Sequence, residues 1–157
     1  MSANVGFRGI SSATLDAKGR MALPSRYREA VSAVSQGQVV VTIDREEPCL
    51  LLYPRTEWDA VQEKLEALPN IQPGVRQLQR VLIGHATDLE LDGSGRLLLP
   101  AQLREHAGLD RKLTLAGQGN KIEIWDHARW SAGMTQWLAA ENRELAAEFE
   151  GITGLSV

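Results

Sequence analysis

An α+β fold rich in strands, built from two tandem modules, is what this sequence predicts, and three observations carry that expectation. TLDAKGRMALPSRYR, from Thr14 to Arg28, returns as ELDGSGRLLLPAQLR, from Glu90 to Arg104, with seven of fifteen positions identical at an offset of 76 residues. CLLLYPRTEW, from Cys49 to Trp58, corresponds to KIEIWDHARW, from Lys121 to Trp130, at an offset of 72, so the first half carries four extra residues. Each copy also runs through the same order of signals: strand, Gly-containing turn, strand ending in Pro, short helix, two more strands and a longer helix. A unit repeated in one order is the mark of paired supersecondary structures that share a core.

The elements follow in turn. TDLEL, from Thr87 to Leu91, alternates apolar and polar residues as a half-buried strand does, DGSG supplies turn residues, and RLLLP resumes an extended run. A hairpin is expected there and at the matching segment of the first copy. Asp16 and Asp92 are placed to accept hydrogen bonds from backbone N–H groups about two residues on, and Gly19 and Gly95 supply the positive φ of a tight connection. At the turn tips the copies differ, Ala17-Lys18 against Gly93-Ser94.

Pro24 and Pro100 mark the change from strand to helix, because proline is tolerated where the first N–H groups of a helix lack partners. In the first short helix Tyr27, Val31 and Val34 share a face; in the second Leu103 and Ala107 do so until Gly108 ends it. QVVVTID and CLLLY then read as one strand pair, and KLTLAG with KIEIW as its counterpart across the turn GQGN. Thr56 and Asp59 suggest a capping box before the apolar stripe Trp58, Val61, Leu65 and Leu68. A further helix from Pro73 to about Gly84 would turn Val75, Leu78 and Leu82 inward. From His127 to Glu150, Trp130, Met134, Trp137, Leu138, Leu145 and Phe149 recur at helical spacing, with Glu141, Glu144, Glu148 and Glu150 on the remaining surface.

Composition narrows the function classes. At 157 residues with 43% hydrophobic content, the chain suits one domain or two small halves with a common core. No stretch approaches the roughly 20 apolar residues of a membrane span, and MSANVGFRGI lacks the apolar run of a secretory signal, so a cytoplasmic protein with no membrane partner is expected. Cys49 is the one cysteine and reads as a buried small hydrophobe. Net charge is -3, yet residues 1–30 hold Arg8, Lys18, Arg20, Arg26 and Arg28 against Asp16 and Glu29, a local +3 that leaves -6 for the rest. A basic face on an acidic body is the electrostatic footprint of a polyanion partner.

Enzymatic readings fare poorly. His85, His106 and His127 are 21 residues apart with no ligand-like spacing, there is no GxSxG elbow or GxxxxGK[ST] loop, and the carboxylates Asp16 and Asp92 have a structural task in their turns. No enzyme activity, metal or cofactor is expected. Arg20 and Arg96 each lie four residues after the turn aspartate, so either could bridge back to it; for Arg96 that structural role is preferred. Arg20 has Lys18 at the turn tip and Arg8, Arg26 and Arg28 nearby in sequence, a cluster of cations suited to phosphates or a groove edge.

FRG (Phe7–Gly9), LDAKGRMALPSRYR, PCLLLYPRTEW, QRVLIGHA, DGSGRLLLPAQLREHAGL and EIWD (Glu123–Asp126) together resemble the MraZ family, whose chains carry two AbrB-like modules, each with a DxxxR motif. The matching segments run from Phe7 to about Trp130. The resemblance implies a pseudo-twofold swapped-hairpin β-barrel with flanking helices: a first module at residues 5–55, a helical connection at 56–83, a second module at 84–130, and a C-terminal helix and tail at 131–157. It also implies a ring-shaped homo-oligomer that binds double-stranded promoter DNA at short direct repeats and regulates the division and cell-wall gene cluster, in the cytoplasm at the nucleoid. The DNA-facing elements map onto Asp16–Arg20 and Asp92–Arg96, giving Lys18, Arg20 and Arg96 as DNA contacts with Arg8 in support; the second copy departs by offering Ser94 where the first has Lys18. The alternative reading is a protein-interaction module that uses the acidic, Trp-rich C-terminal helix.

Overall fold

Every strand in the computed structural model, which describes residues 6–139, belongs to a unit ending at Asp126; a second unit begins at His127 and is taken separately. The first repeat supplies β1 (Phe7–Thr14), β2 (Arg20–Ala22), α1 (Ser25–Ser35), β3 (Gln38–Ile43), β4 (Leu50–Pro54) and α2 (Arg55–Glu66). After α3 (Pro73–Leu82), the second repeat supplies β5 (Thr87–Glu90), β6 (Arg96–Leu98), α4 (Ala101–Ala107), β7 (Lys112–Gly119) and β8 (Ile122–Asp126). The element order is the one the doubled sequence predicts.

Pairing is where expectation and structure part. β3 with β4, and β7 with β8, are the expected antiparallel hairpins. The segments flanking the two DxxGR turns do not form ladders with each other; in the first copy they meet at the single bridge Leu15–Met21. β1 instead pairs along its whole length with β7, β5 pairs with β3, and β2 pairs with β6; with β4 against β8, four of the ladders join one repeat to the other. The physical reason is burial. β2 and β6 are three residues long, and side by side they sink Met21 and Leu97 completely into one shared core.

The six-stranded sheet runs β1-β7-β8-β4-β3-β5, and exchanging each strand for its repeat equivalent reads the same order backwards. The chain therefore has a pseudo-twofold relation centred between β8 and β4, repeated in the two-stranded ribbon where Met21 stands opposite Leu97. The ladder is open, with β1 and β5 at its edges, and no closed barrel forms among the described residues. The core lies inside this arrangement: Met21, Leu97, Leu113, Leu115, Ile122 and Ile124 are fully buried and packed with Leu50, Leu52, Val39 and Val41. Each such side chain contributes about 1.5–3 kcal/mol by leaving water.

The helices account for the changing offset. α1 has 11 residues and α4 has 7, and both end on a left-handed cap, Gln36 at φ 57° and Gly108 at φ 60°. The four extra residues are one added turn of α1. In α1 Tyr27 and Val31 are buried as expected, but Val34 is only half-buried and Ser35 takes the inward place, its hydroxyl 3.0 Å from the Val31 carbonyl and 2.6 Å from that of Gln38. Leu103 and Ala107 are buried in α4.

The capping box at Thr56 and Asp59 is not formed. Extended Pro54 is the N-cap of α2, the helix starts at Arg55, and Thr56 lies already inside the first turn, while Asp59 sits 3.9 Å from Arg55 Nε. α3 forms where expected, yet Val75, Leu78 and Leu82 are half-buried rather than enclosed. In the second unit α5 (His127–Trp137) stacks Trp130 edge-on against Trp137 at 5.4 Å. Leu145, Phe149 and the four expected glutamates lie outside the described residues. None of the described helices is long and apolar enough to cross a membrane.

Candidate nucleic-acid interface

The two DxxGR turns close in the same way. Asp16 Oδ1 accepts the backbone N–H of Lys18 at 2.9 Å and of Arg20 at 2.8 Å, while the Gly19 N–H donates to the Asp16 carbonyl at 3.0 Å. Asp92 Oδ1 accepts from Ser94 at 2.8 Å and Arg96 at 2.9 Å, and Gly95 donates to the Asp92 carbonyl at 2.9 Å. The turn glycines hold φ of 88° and 76°, the left-handed region that a side chain at either position would strain. In both turns the backbone N–H of the arginine leads in holding the aspartate carboxyl below its usual value of 3.8, helped by the second N–H and the nearby guanidinium.

Arg20 and Arg96 differ in how they use the remaining carboxylate oxygen. Arg96 Nε donates to Asp92 Oδ2 at 3.1 Å. Arg20 Nε is 3.4 Å from Asp16 Oδ2 and, although buried, makes no hydrogen bond. The bridging-back that the spacing allows is thus present in both copies and tighter in the second.

The ribbon of β2 and β6 brings the two turns onto one surface. Arg20 stands opposite Leu98 and Ala22 opposite Arg96, with Met21 and Leu97 alternating inward. The two arginines are therefore diagonal neighbours on the outward face, about 7–8 Å apart at their backbones. Leu98, opposite Arg20, is 56% exposed, and Lys18 and Ser94, in the turns that lead into β2 and β6, are both exposed. Sequence alone treats the copies as two candidate sites 76 residues apart; the ribbon brings their arginines together.

Arg8 is not part of that face. It lies exposed at the start of β1, six residues before Thr14 and so about 20 Å along the strand from the turn. Arg26 shares that far end, its guanidinium donating to the Ser11 hydroxyl at 2.9 Å and lying 4.7 Å over the Tyr27 ring. Tyr27 in turn donates to the carbonyl of Gly9 at 2.8 Å, which fixes helix α1 to strand β1.

The MraZ protein family model matches this sequence twice, over residues 7–81 and 82–149. The chain belongs to the MraZ family. Relatives named Transcriptional regulator MraZ include that of Alkalilimnicola ehrlichii, 53% identical over 132 residues, 84% of this chain and 88% of the relative. That of Halorhodospira halophila is 48% identical over 149 residues, covering 93% and 98%. That of a Marinomonas species is 54% identical over 138 residues, covering 88% and 91%.

Two residues of this MraZ chain that sequence reasoning left out of the site, or placed only loosely near it, are repeat equivalents: Arg28 and Arg104. Both are half-buried, and each lies against the turn of the other repeat, Arg28 donating to the Ser94 carbonyl at 3.3 Å and Arg104 packing on Gly19. Their identity at the offset of 76 was the available signal. Away from this face, Cys49 is fully buried in the hairpin of β3 and β4, where burial, then the carboxylates of Glu123, Asp44 and Glu47, push its thiol well up. Burial likewise drives the Tyr53 hydroxyl up to about 12. These groups belong to the packing. Among the described residues no group of three His, Cys, Asp or Glu is positioned to hold a metal ion.

Proposed function

We propose that this MraZ-family chain is a DNA-binding transcription regulator without enzyme activity, and that the outward face of the β2 and β6 ribbon is its DNA-contacting surface. The observation that carries the reading is the placing of Arg20 and Arg96 on that single face, with exposed Lys18 in the turn before Arg20, in a chain whose relatives are named as transcriptional regulators. Arg20 and Lys18 are the principal contacts. Arg96 is the lesser one because it is already engaged by Asp92 and has Ser94 beside it in place of a second cation. Arg8, far along β1, supports binding only where DNA extends past the turns.

Two or three cations per subunit bind DNA weakly, since phosphate contacts contribute mainly a salt-dependent term. The reading therefore includes a ring of identical subunits acting on spaced direct repeats in the promoter of the division and cell-wall gene cluster, at the nucleoid, where avidity raises affinity ~10²–10⁴-fold. The half-exposed stripe of α3 and the 88% exposure of Ile71 leave apolar surface that supports self-association. The exchanged strand pairing likewise supports the pseudo-twofold, swapped-hairpin arrangement of two AbrB-like modules at residues 5–55 and 84–130, joined by 56–83 and followed by 131–157. Arg20→Ala should abolish gel-shift binding to the promoter while the melting temperature and oligomer stay nearly unchanged, and Arg96→Ala should weaken binding less. The reverse ranking, or loss of folding in step with binding, contradicts this assignment.

A further inference from the structure

Gly19 and Gly95 sit in exposed turns, yet both are buried. What covers them comes from the opposite repeat. A Cβ built on Gly19 would lie 2.8 Å from Arg104 Cζ and 2.9 Å from its Nε, and one built on Gly95 would strike Arg28 Cδ and Nη1. Both arginines occupy the same place, four residues into the helix that follows Pro24 or Pro100, so the two contacts are repeat equivalents crossed over the pseudo-twofold centre. Backbone hydrogen bonds cross beside them: Leu23 N–H donates to the Gly95 carbonyl at 3.0 Å and Leu99 N–H to the Gly19 carbonyl at 2.9 Å. Arg28 also donates to the Ser94 carbonyl at 3.3 Å, and Arg104 Nε donates to the Leu99 carbonyl at 2.9 Å, fixing the residue whose N–H holds the first turn.

We propose that Arg28 and Arg104 are crossed positioning residues: each sets the turn of the opposite repeat, so that the Lys18 and Arg20 end of the face depends on an arginine in the second copy. This rests on the reading of the turns as DNA-facing, although the crossed dependence itself concerns only the protein. A guanidinium suits the task because its planar fork can lie flat over a glycine while its Nε holds a carbonyl, which a lysine cannot do. The two turns then move as one unit and present a fixed spacing of cations.

Hydrogen exchange of backbone amides in the full-length protein, followed by NMR, reads this without DNA. Arg104→Met should speed exchange at Gly19 and Arg20 roughly five- to tenfold, the loss of about one hydrogen bond, and leave Gly95 and Arg96 within about twofold. Arg28→Met should do the reverse. Loosening of each variant's own turn, or of both turns equally, overturns the proposal. Should a methionine variant fail to fold, Arg104→Lys and Arg28→Lys keep stem and charge and should give the same crossed pattern at smaller amplitude; an uncrossed pattern there counts equally against it. On a promoter fragment, Arg104→Met should weaken binding at every salt concentration while the slope of log affinity against log salt is kept. A drop of about one in that slope marks Arg104 as a direct phosphate contact and overturns the positioning role. If the unmodified protein does not bind the promoter at all, the DNA reading falls while the exchange pattern still decides the brace.

Discussion

Asp16 and Asp92 each spend one carboxylate oxygen on two backbone N–H groups, and that local geometry follows from residues at most four apart. For this reason the turns were legible in the sequence: aspartate accepts from amides two and four residues on, and glycine at the fourth position tolerates φ near 80°. The covering role of Arg28 and Arg104 was not legible, because each meets a turn that lies some 66 to 85 residues away in the chain. The turn carboxyls carry a pH prediction whose sign is fixed. Their folded values lie below 3.8, so the charged form favours the folded turn above that pH and its contribution is lost as the pH falls through the lowered folded values. A carboxyl NMR titration of Asp16 and Asp92 should give both midpoints below 3.8; midpoints at or above it contradict the turn geometry.

At the scale of elements, alternation and turn chemistry marked the strands of the first unit and two of its hairpins, β3 with β4 and β7 with β8, but not the partners that the remaining strands find in the other repeat. A short run such as RMA or RLL encodes which face is apolar, not which strand lies beside it, and the expected local hairpins gave way to pairing between repeats. The α1 helix shows the same limit from the other side. Four extra residues were visible as a change of offset, but only the paired left-handed caps at Gln36 and Gly108 reveal that they form one helical turn. The ribbon predicts its own fragility. Leu97→Ala removes a fully buried side chain at the pseudo-twofold centre and should cost about 2–5 kcal/mol in denaturant unfolding. Met21→Ala opposite should cost a similar amount, and because the two side chains are neighbours the double variant should depart from the sum of the singles. A loss below about 1 kcal/mol would mean that the ribbon is peripheral to the core.

For the molecule as a whole, one fold answers two demands made by the doubled sequence. The shared LDxxGRxxLP pattern builds the same turn and the same helix start in each half, and their pairing joins the halves around a common core. The differences between the copies then fall at the two turns: Lys18 against Ser94, and an Arg20 that is looser on its aspartate than Arg96. Net charge conceals this face, since an acidic remainder of the chain outweighs the local excess of cations in residues 1–30. Under the proposed function, a face carrying so few cations would gain useful affinity from repetition, both within the subunit and around a ring. The measurement that bears most directly on this account is footprinting of the purified full-length protein on the DNA upstream of its own gene. Protection of two or more short repeats at regular spacing, lost together as salt is raised, is the expected result; no protected region, or a single one without a repeat, would contradict the proposed function.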